Sequence, residues 1–241
     1  MFKSIESYER FRRVVSFVSP NRCAFCGEVM NNNDYWCGMC YRHLPFIWGI
    51  VRPPDNISEL YACCFYVGRA RDAVLELKYR GSVYPADAFA AMLGKRLREA
   101  DVRADMLIPV PNGSGGIKTR GFSSSELIAR RLSLHTGIPA ANAVRADRHK
   151  TEQKSLSAYK RVSNAMHGFY IEKNADIKGR RIILVDDVTT TGSTLSAVGG
   201  LLLEAGAADV SAAVFAKTLD FVHTDARGKR YTIRKRPDCR A

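Results

Sequence analysis

Two adjacent carboxylates, Asp186 and Asp187, stand between an apolar run and a loop rich in hydroxyl groups. The apolar run at 182–185 is rich in β-branched residues, which is typical of a strand buried on both faces of a parallel sheet. After the loop, the sequence predicts a mostly apolar helix at 195–206. We therefore expect the acid pair at the carboxyl end of a buried strand, close to the start of a helix.

The residue types around the acid pair suit a sugar phosphate. Ionised carboxylates accept hydrogen bonds from the paired hydroxyl groups of a ribose, or bind Mg2+ carried by a polyphosphate. Amides at a helix N-terminus bind phosphate, and a glycine lets an anion approach the main chain closely. The predicted phosphate-binding residues are Thr190, Thr191, Gly192, Ser193 and Thr194. The alternative is a solvated strand end followed by an ordinary helix cap. A mononucleotide P-loop is excluded, because the lysine that defines this motif is absent from the loop.

Four cysteines near the N-terminus have the spacing of a metal site. Cys23 and Cys26 form one C-x2-C pair, and Cys37 and Cys40 form another after ten intervening residues. Two such pairs can place four thiolates around one Zn2+, and a site closed by four thiolates is structural rather than catalytic. Disulfides and coincidentally buried cysteines are the alternatives. Disulfides need an oxidising compartment, and the N-terminus shows no export signal.

Strand and helix patterns alternate after a proline-marked linker at 51–59. Strands are predicted at 61–67, 105–110, 168–171, from 182 onward and at 210–216, and helices at 70–79, 86–100, 123–135 and 195–206. This alternation indicates an α/β fold with a parallel sheet, in which ligands bind beyond the carboxyl ends of the strands.

The predicted organisation has four parts. Residues 1–20 form an amphipathic helix, 21–50 a zinc ribbon, 60–220 the main domain and 221–241 a basic tail. The helix is expected to pack on the protein, with docking to a membrane surface or a partner as the alternative. No apolar run approaches the roughly 18 residues that span a membrane, so no transmembrane segment is expected, and the predicted location is the cytoplasm.

Further short motifs accompany the acid pair. Leu77 to Gly81 includes Lys78, a Pro-Val-Pro segment stands at 109–111, and Arg120 begins an Arg-Gly-Phe segment. Together with the four cysteines and the acid pair, this order resembles the ComF family of competence-associated type I phosphoribosyltransferase-like proteins, over roughly residues 20 to 217. The sequence departs from that pattern at Ser123 and Ser124, where the family commonly has Asn-Gln.

The resemblance implies a type I phosphoribosyltransferase fold and a set of roles. It implies that Asp186 and Asp187 hold the ribose hydroxyls of phosphoribosyl pyrophosphate (PRPP), and that 190–194 wraps the 5′-phosphate. Arg120 and Lys78 would face the pyrophosphate, with Mg2+ bound to PRPP. The implied activity is phosphoribosyl transfer in natural transformation, alongside the DNA-uptake machinery. The alternative is a non-catalytic PRPP sensor or an adaptor that binds single-stranded DNA.

The charge of the chain agrees with an anionic partner. Lys and Arg number 37 against 24 Asp and Glu, which gives a net charge of +13. Such a surplus attracts phosphorylated ligands or nucleic acid. The basic stretch at 145–164 is predicted to close over a polyanion and the tail to bind DNA phosphates. A solvated surface stretch and a solubilising tail are the respective alternatives.

Overall fold

Strands and helices alternate along the chain as the sequence predicts. The computed structural model describes residues 5–15, 21–30, 34–48, 51–80, 82–111, 123–146, 168–218, 221–224 and 230–233. The strands are β1 (Leu60–Phe65), β2 (Met106–Pro109), β3 (Val144–Ala146), β4 (Phe169–Ile171), β5 (Arg181–Thr189), β6 (Asp209–Lys217), β7 (Phe221–Thr224) and β8 (Arg230–Ile233). The helices are α1 (Ile5–Val15), α2 (Gly38–Arg42), α3 (Gly68–Tyr79), α4 (Tyr84–Glu99), α5 (Ser124–Thr136) and α6 (Ser193–Glu204).

The central sheet has four parallel strands in the order β1–β6–β5–β2. Residues 182–185 of β5 are at most 1% exposed, which confirms the prediction of a strand buried on both faces. The strand continues beyond this apolar run, because β6 is equally long and pairs with it as far as Thr189 opposite Lys217. The acid pair therefore lies within the carboxyl-terminal half of β5.

Helices cover both faces of this sheet. Ile183 and Val185 pack in one apolar cluster with residues of α3, α4 and α5. Ile182 and Leu184 pack in a second cluster with residues of α6. Because side chains alternate along a strand, one strand supplies both clusters. This two-faced burial confirms the predicted α/β architecture.

The cysteine-containing segment packs against the main domain. Phe25 packs beside the stacked rings of Phe89 and Phe215, with centroid distances of 6.5 and 6.2 Å to them. The backbone of the same segment bonds to β1, since Ile47 donates to the Cys63 carbonyl at 2.9 Å. The segment thereby covers the edge strand of the sheet and extends the apolar core.

The N-terminal helix contacts α4 and α5. The Tyr8 hydroxyl donates to both carboxylate oxygens of Asp87 on α4, at 2.9 and 2.8 Å. Arg131 on α5 pairs with Asp87 at 3.0 Å and lies 4.3 Å above the Tyr8 ring. Among the residues that the structure describes, no helix has the length and hydrophobicity needed to cross a bilayer.

Some predicted segments fall outside the described residues. These are Arg120 and the rest of its loop at 112–122, and the part of the basic stretch at 147–164. Within the predicted tail, 225–229 and 234–241 are also outside. In the described part of the tail, β7 and β8 pair as an antiparallel two-stranded sheet, which the sequence analysis did not predict. Their Val, Tyr, Thr and Ile residues have high β-propensity, which outweighs the basic composition.

Candidate phosphoribosyl site

The acid pair and the hydroxyl-rich turn lie where β5 ends and α6 begins. Asp186 and Asp187 lie on β5, a short turn follows from Thr190, and Gly192 is the N-cap residue of α6. β2 and β6 run parallel to β5 on either side, so their carboxyl ends lie at the same edge. This is the edge at which ligands bind in α/β sheets.

Asp187 is held on both of its carboxylate oxygens. It is 1% exposed, and the ammonium of Lys78 on α3 lies 2.6 Å from one oxygen. The hydroxyl of Ser124 on α5 donates to the other oxygen at 2.5 Å. A buried carboxylate is tolerated when it is paired and hydrogen-bonded, and both conditions hold here.

Asp186 has different surroundings. Successive side chains of a strand point to opposite faces, so Asp186 shares the α6 side of the sheet with Ile182 and Leu184. Its carboxylate is half-buried and accepts the backbone N–H of Asp187 at 2.9 Å. Burial raises the pKa of Asp186 to about 8, the neighbouring Asp187 carboxylate adds to the rise, and Lys78 opposes it.

The hydroxyl-rich turn leaves its polar groups accessible. Thr190, Thr191, Ser193 and Thr194 are all exposed. The Thr191 hydroxyl lies 3.1 Å from that of Ser193 and accepts the Ser193 backbone N–H at 3.4 Å. Helix α6 has no side-chain N-cap bond and no acidic residue in its first turn. Its N-terminal amides are therefore not neutralised by an acidic side chain of the helix.

The structure explains the glycine at position 192 differently from the sequence. Its φ of +78° is a left-handed conformation that other residues adopt at a cost, and a Cβ here would lie 2.7 Å from the Cβ of Pro54. The glycine is buried under this proline. Its missing side chain thus makes room for Pro54, whereas the sequence suggested room for an anion.

The predicted linker lies against α6. The amide of Asn56 donates to the carbonyl of Ser196 at 3.2 Å, and the carbonyl of Asn56 would be 2.6 Å from a Cβ at Gly199. Next to it, Ser58 donates its backbone N–H to the carbonyl of Val210 on β6 at 2.9 Å. We call residues 53–58 the strap. The sequence predicted this stretch as a linker but did not predict its contact with α6.

Three serines at the start of α5 were also missed as site residues. Ser123 is the N-cap residue, and its hydroxyl lies 2.9 Å from the hydroxyl of Ser125. The Ser125 hydroxyl in turn donates to the carbonyl of Val110 at 2.6 Å. Ser124 contacts Asp187, as described above. The sequence did mark Ser123 and Ser124 as departures from the family pattern. In α/β folds, helices begin at the edge where parallel strands end and ligands bind. A helix predicted to start at Ser123, after the strand at 105–110, was therefore a usable signal.

The four predicted metal ligands come together. The sulfur atoms of Cys23, Cys26, Cys37 and Cys40 all lie within 4.8 Å of one another. Those of Cys26 and Cys37 are 3.9 Å apart, close to the roughly 3.8 Å that tetrahedral geometry and zinc–sulfur bonds of about 2.3 Å require. The cluster can therefore hold one tetrahedral metal ion.

Backbone N–H groups donate to two of the four sulfur atoms. The N–H of Cys37 donates to the Cys23 sulfur, and that of Cys40 to the Cys37 sulfur, both at 3.4 Å. Burial raises the pKa of the Cys23 thiol, but backbone N–H groups, that of Cys37 foremost, outweigh it and lower the pKa to about 7. Such donors stabilise thiolates, which are the form that binds metal. These contacts fit the donor set of a structural zinc site.

Comparison with known proteins identifies the family. The phosphoribosyl transferase domain matches residues 115–236, which include the acid pair and the turn. DNA utilization protein YhgH from Salmonella typhimurium is 34% identical over 203 residues, covering 82% of this chain and 84% of that protein. Competence protein F from Haemophilus influenzae is 27% identical over 196 residues, covering 78% of this chain and 81% of that protein.

The chain also shows partial similarity to two solved structures. A purine phosphoribosyltransferase from Pyrococcus horikoshii is 26% identical with a TM-score of 0.37, over 56% of this chain and 75% of that one. Glutamine PRPP amidotransferase from B. subtilis is 24% identical with a TM-score of 0.41, and this chain spans 26% of its length. From its matched domain, its relatives and its four-cysteine cluster, the chain belongs to the phosphoribosyl transferase domain family as a ComF-like member.

Proposed function

We propose that the protein binds PRPP at the carboxyl edge of β5. Asp186 would accept the ribose hydroxyls, and the exposed hydroxyls and amides at the start of α6 would bind the 5′-phosphate. The single observation that carries this proposal is that Asp186 shares the α6 side of the sheet. Asp187 would support the site by holding Lys78 and Ser124 in place.

The reaction we propose is phosphoribosyl transfer. Pyrophosphate would leave C1 of the ribose through a transition state that resembles an oxocarbenium ion. Mg2+ would arrive bound to PRPP, and cationic side chains would stabilise the departing anion. Arg120 and Lys78 are the proposed cations, with Lys78 acting from its pair with Asp187. A non-catalytic PRPP sensor would bind the same ligand without releasing pyrophosphate.

Calorimetry with PRPP and Mg2+ tests the binding site. We expect Asp186→Ala to weaken PRPP binding by at least about tenfold, since a bond to a charged group contributes roughly 1.5–3 kcal/mol. Asp72→Ala is the control, because that carboxylate is 65% exposed on α3. Equal affinity in wild type and Asp186→Ala would exclude Asp186 from the site. A measurement of pyrophosphate release distinguishes a transferase, which releases it from PRPP, from a sensor, which does not.

We further propose that the cysteine cluster binds structural Zn2+. Four thiolates close the coordination sphere, which leaves no position for a substrate. Reduced thiols also agree with the cytoplasmic location expected from the sequence. Metal analysis of the purified chain should find one equivalent of zinc, and Cys26→Ser should reduce it. A zinc-free wild type that retains its fold would contradict the proposal.

An aromatic row favours a second function, the binding of single-stranded DNA. Trp36, Tyr41, Phe46 and Trp48 form this row, with consecutive centroids 5.4, 5.0 and 5.5 Å apart. Trp48 is 86% exposed, Arg42, which follows Tyr41 in the chain, is exposed, and the chain carries a net charge of +13. Aromatic rings beside cations stack unpaired bases. The names of the relatives, which refer to DNA utilization and competence, agree with this function.

Fluorescence anisotropy with a labelled thymidine oligonucleotide tests this second function. Base stacking contributes about 1–3 kcal/mol per base, so Trp48→Ala should weaken binding by about tenfold. Val29→Ala, which changes another exposed apolar residue of the same segment, should leave binding unchanged. Loss of binding only on removal of residues 225–241 would assign the DNA to the tail instead.

A further inference from the structure

Helix α3 contacts both the cysteine cluster and the acid pair. In its first turn, the guanidinium of Arg69 donates to the Cys40 sulfur at 2.7 Å. In its last turn, the ammonium of Lys78 lies 2.6 Å from Asp187. One short helix is thus attached at each end to a different anionic site.

The geometry of α3 restrains it in two directions. Nine residues separate Arg69 from Lys78, which is about 2.5 turns and about 14 Å along the axis. The two cations therefore project from opposite sides of the helix. Between them, Ala70, Val74 and Leu77 are fully buried in the same core as Cys40. A helix held this way can neither rotate nor slide without breaking one of the two contacts.

Electrostatics explain why a cation begins this helix. The N-terminus of a helix disfavours cations, and α3 has neither an acidic residue in its first turn nor a side-chain N-cap bond. A Zn2+ with four thiolates would carry a net charge of −2, and Cys40 is completely buried. Arg69 would neutralise part of that charge beside the least exposed ligand.

We propose that α3 couples the four-thiolate centre to the acid pair, with Arg69 as the positioning residue. This inference rests on the zinc proposed above. The Arg69–Cys40 contact holds the N-terminal end of α3, and the buried helix transmits that position to Lys78 and Asp187. Because coupling free energies are reciprocal, zinc at the cysteines and a ligand at the acid pair would change each other's affinity by the same factor.

Chelator competition on the full chain tests the coupling. We expect Arg69→Met to weaken zinc binding by about tenfold or more, as is usual when an outer-sphere partner of a ligand is removed. Lys78→Met should weaken zinc binding severalfold, although it lies at the far end of the helix. Arg69→Lys should restore part of the loss, and Arg71→Met, an exposed change on the same helix, should have no effect.

Hydrogen exchange provides a second measurement that needs neither zinc nor PRPP. Arg69→Met should reduce the protection of amides 77–79 at the far end of α3, whereas Arg71→Met should not. Wild-type zinc affinity in Lys78→Met, or full protection at 77–79 in Arg69→Met, would overturn the coupling. If PRPP does not bind, the proposed function fails while both measurements still decide this inference. If the wild type holds no zinc, the exchange measurement alone decides whether Arg69 positions α3.

Discussion

At the scale of single residues, Asp186 and Asp187 are neighbours in the chain with opposite surroundings. Asp187 is buried and paired on the side of α3 and α5, whereas Asp186 lies on the side of α6. The sequence predicted a common role for the two acids on the ribose hydroxyls. Their separation onto two faces of β5 leads us to expect different consequences when each is changed.

The raised pKa of Asp186 should make folding stability decrease as pH rises. Its pKa is raised to about 8 from a usual value of 3.8, so the folded chain binds an extra proton between these two values. Folding stability then falls as pH rises through this window, while PRPP binding strengthens as the carboxylate ionises. Melting temperatures from about pH 5 to about pH 9 should decline less in Asp186→Asn than in wild type. Parallel curves for the two proteins would contradict the assignment.

Asp187→Asn should destabilise the fold. The substitution leaves the Lys78 ammonium beside a neutral amide, and breaking a buried pair costs about 3–5 kcal/mol. Because the Lys78 side chain is 27% exposed, we expect a loss nearer about 2–3 kcal/mol. Urea denaturation measures this change, and Asp72→Asn on the surface of α3 should unfold like wild type. A midpoint for Asp187→Asn equal to that of the control would show that the pair contributes no stability.

At the scale of elements, the strap and α6 fit together through glycines. A Cβ at Gly199 would meet the backbone carbonyl of Asn56 at 2.6 Å, and backbone cannot easily move away. At Gly200 the nearest atom is the side-chain nitrogen of Asn56 at 3.0 Å, which can rotate. The two adjacent glycines are therefore a matched pair for testing the contact.

Gly199→Ala should destabilise the protein by about 1–3 kcal/mol, the usual cost of overpacking. Gly200→Ala should be neutral or stabilising by up to about 1 kcal/mol, because alanine is the better helix former. Chemical denaturation of both variants gives the comparison. Equal stability of the two variants would mean that the strap does not press on α6.

At the scale of the whole molecule, the cysteine-containing segment and the main domain share one apolar core. Phe25 packs beside the stacked rings of Phe89 and Phe215, and Cys23 and Cys40 belong to the same cluster. A metal ion that orders this segment would therefore stabilise the sheet and helices as well. The short segment itself buries too little surface to fold alone.

Removing zinc should consequently lower the stability of the entire chain. We expect Cys26→Ser, or treatment with a chelator, to shift a single unfolding transition to lower urea concentration. Met39→Ala, at a 59% exposed position of the same segment, is the control and should unfold like wild type. Two separate transitions, with that of the main domain unchanged, would show that the segment folds independently.

The sequence by itself determined the features that depend on near neighbours. The apolar run of β5, the acids and hydroxyls after it, the spacing of the four cysteines and the Ser123 helix start were all readable, because each needs only a short stretch of chain. The tertiary structure alone decided which groups the acids contact. Ser124 and Asp187 are 63 residues apart, and Asn56 and Ser196 are 140 residues apart. Such contacts depend on strand order and on how helices pack over the sheet, neither of which is encoded in local periodicity.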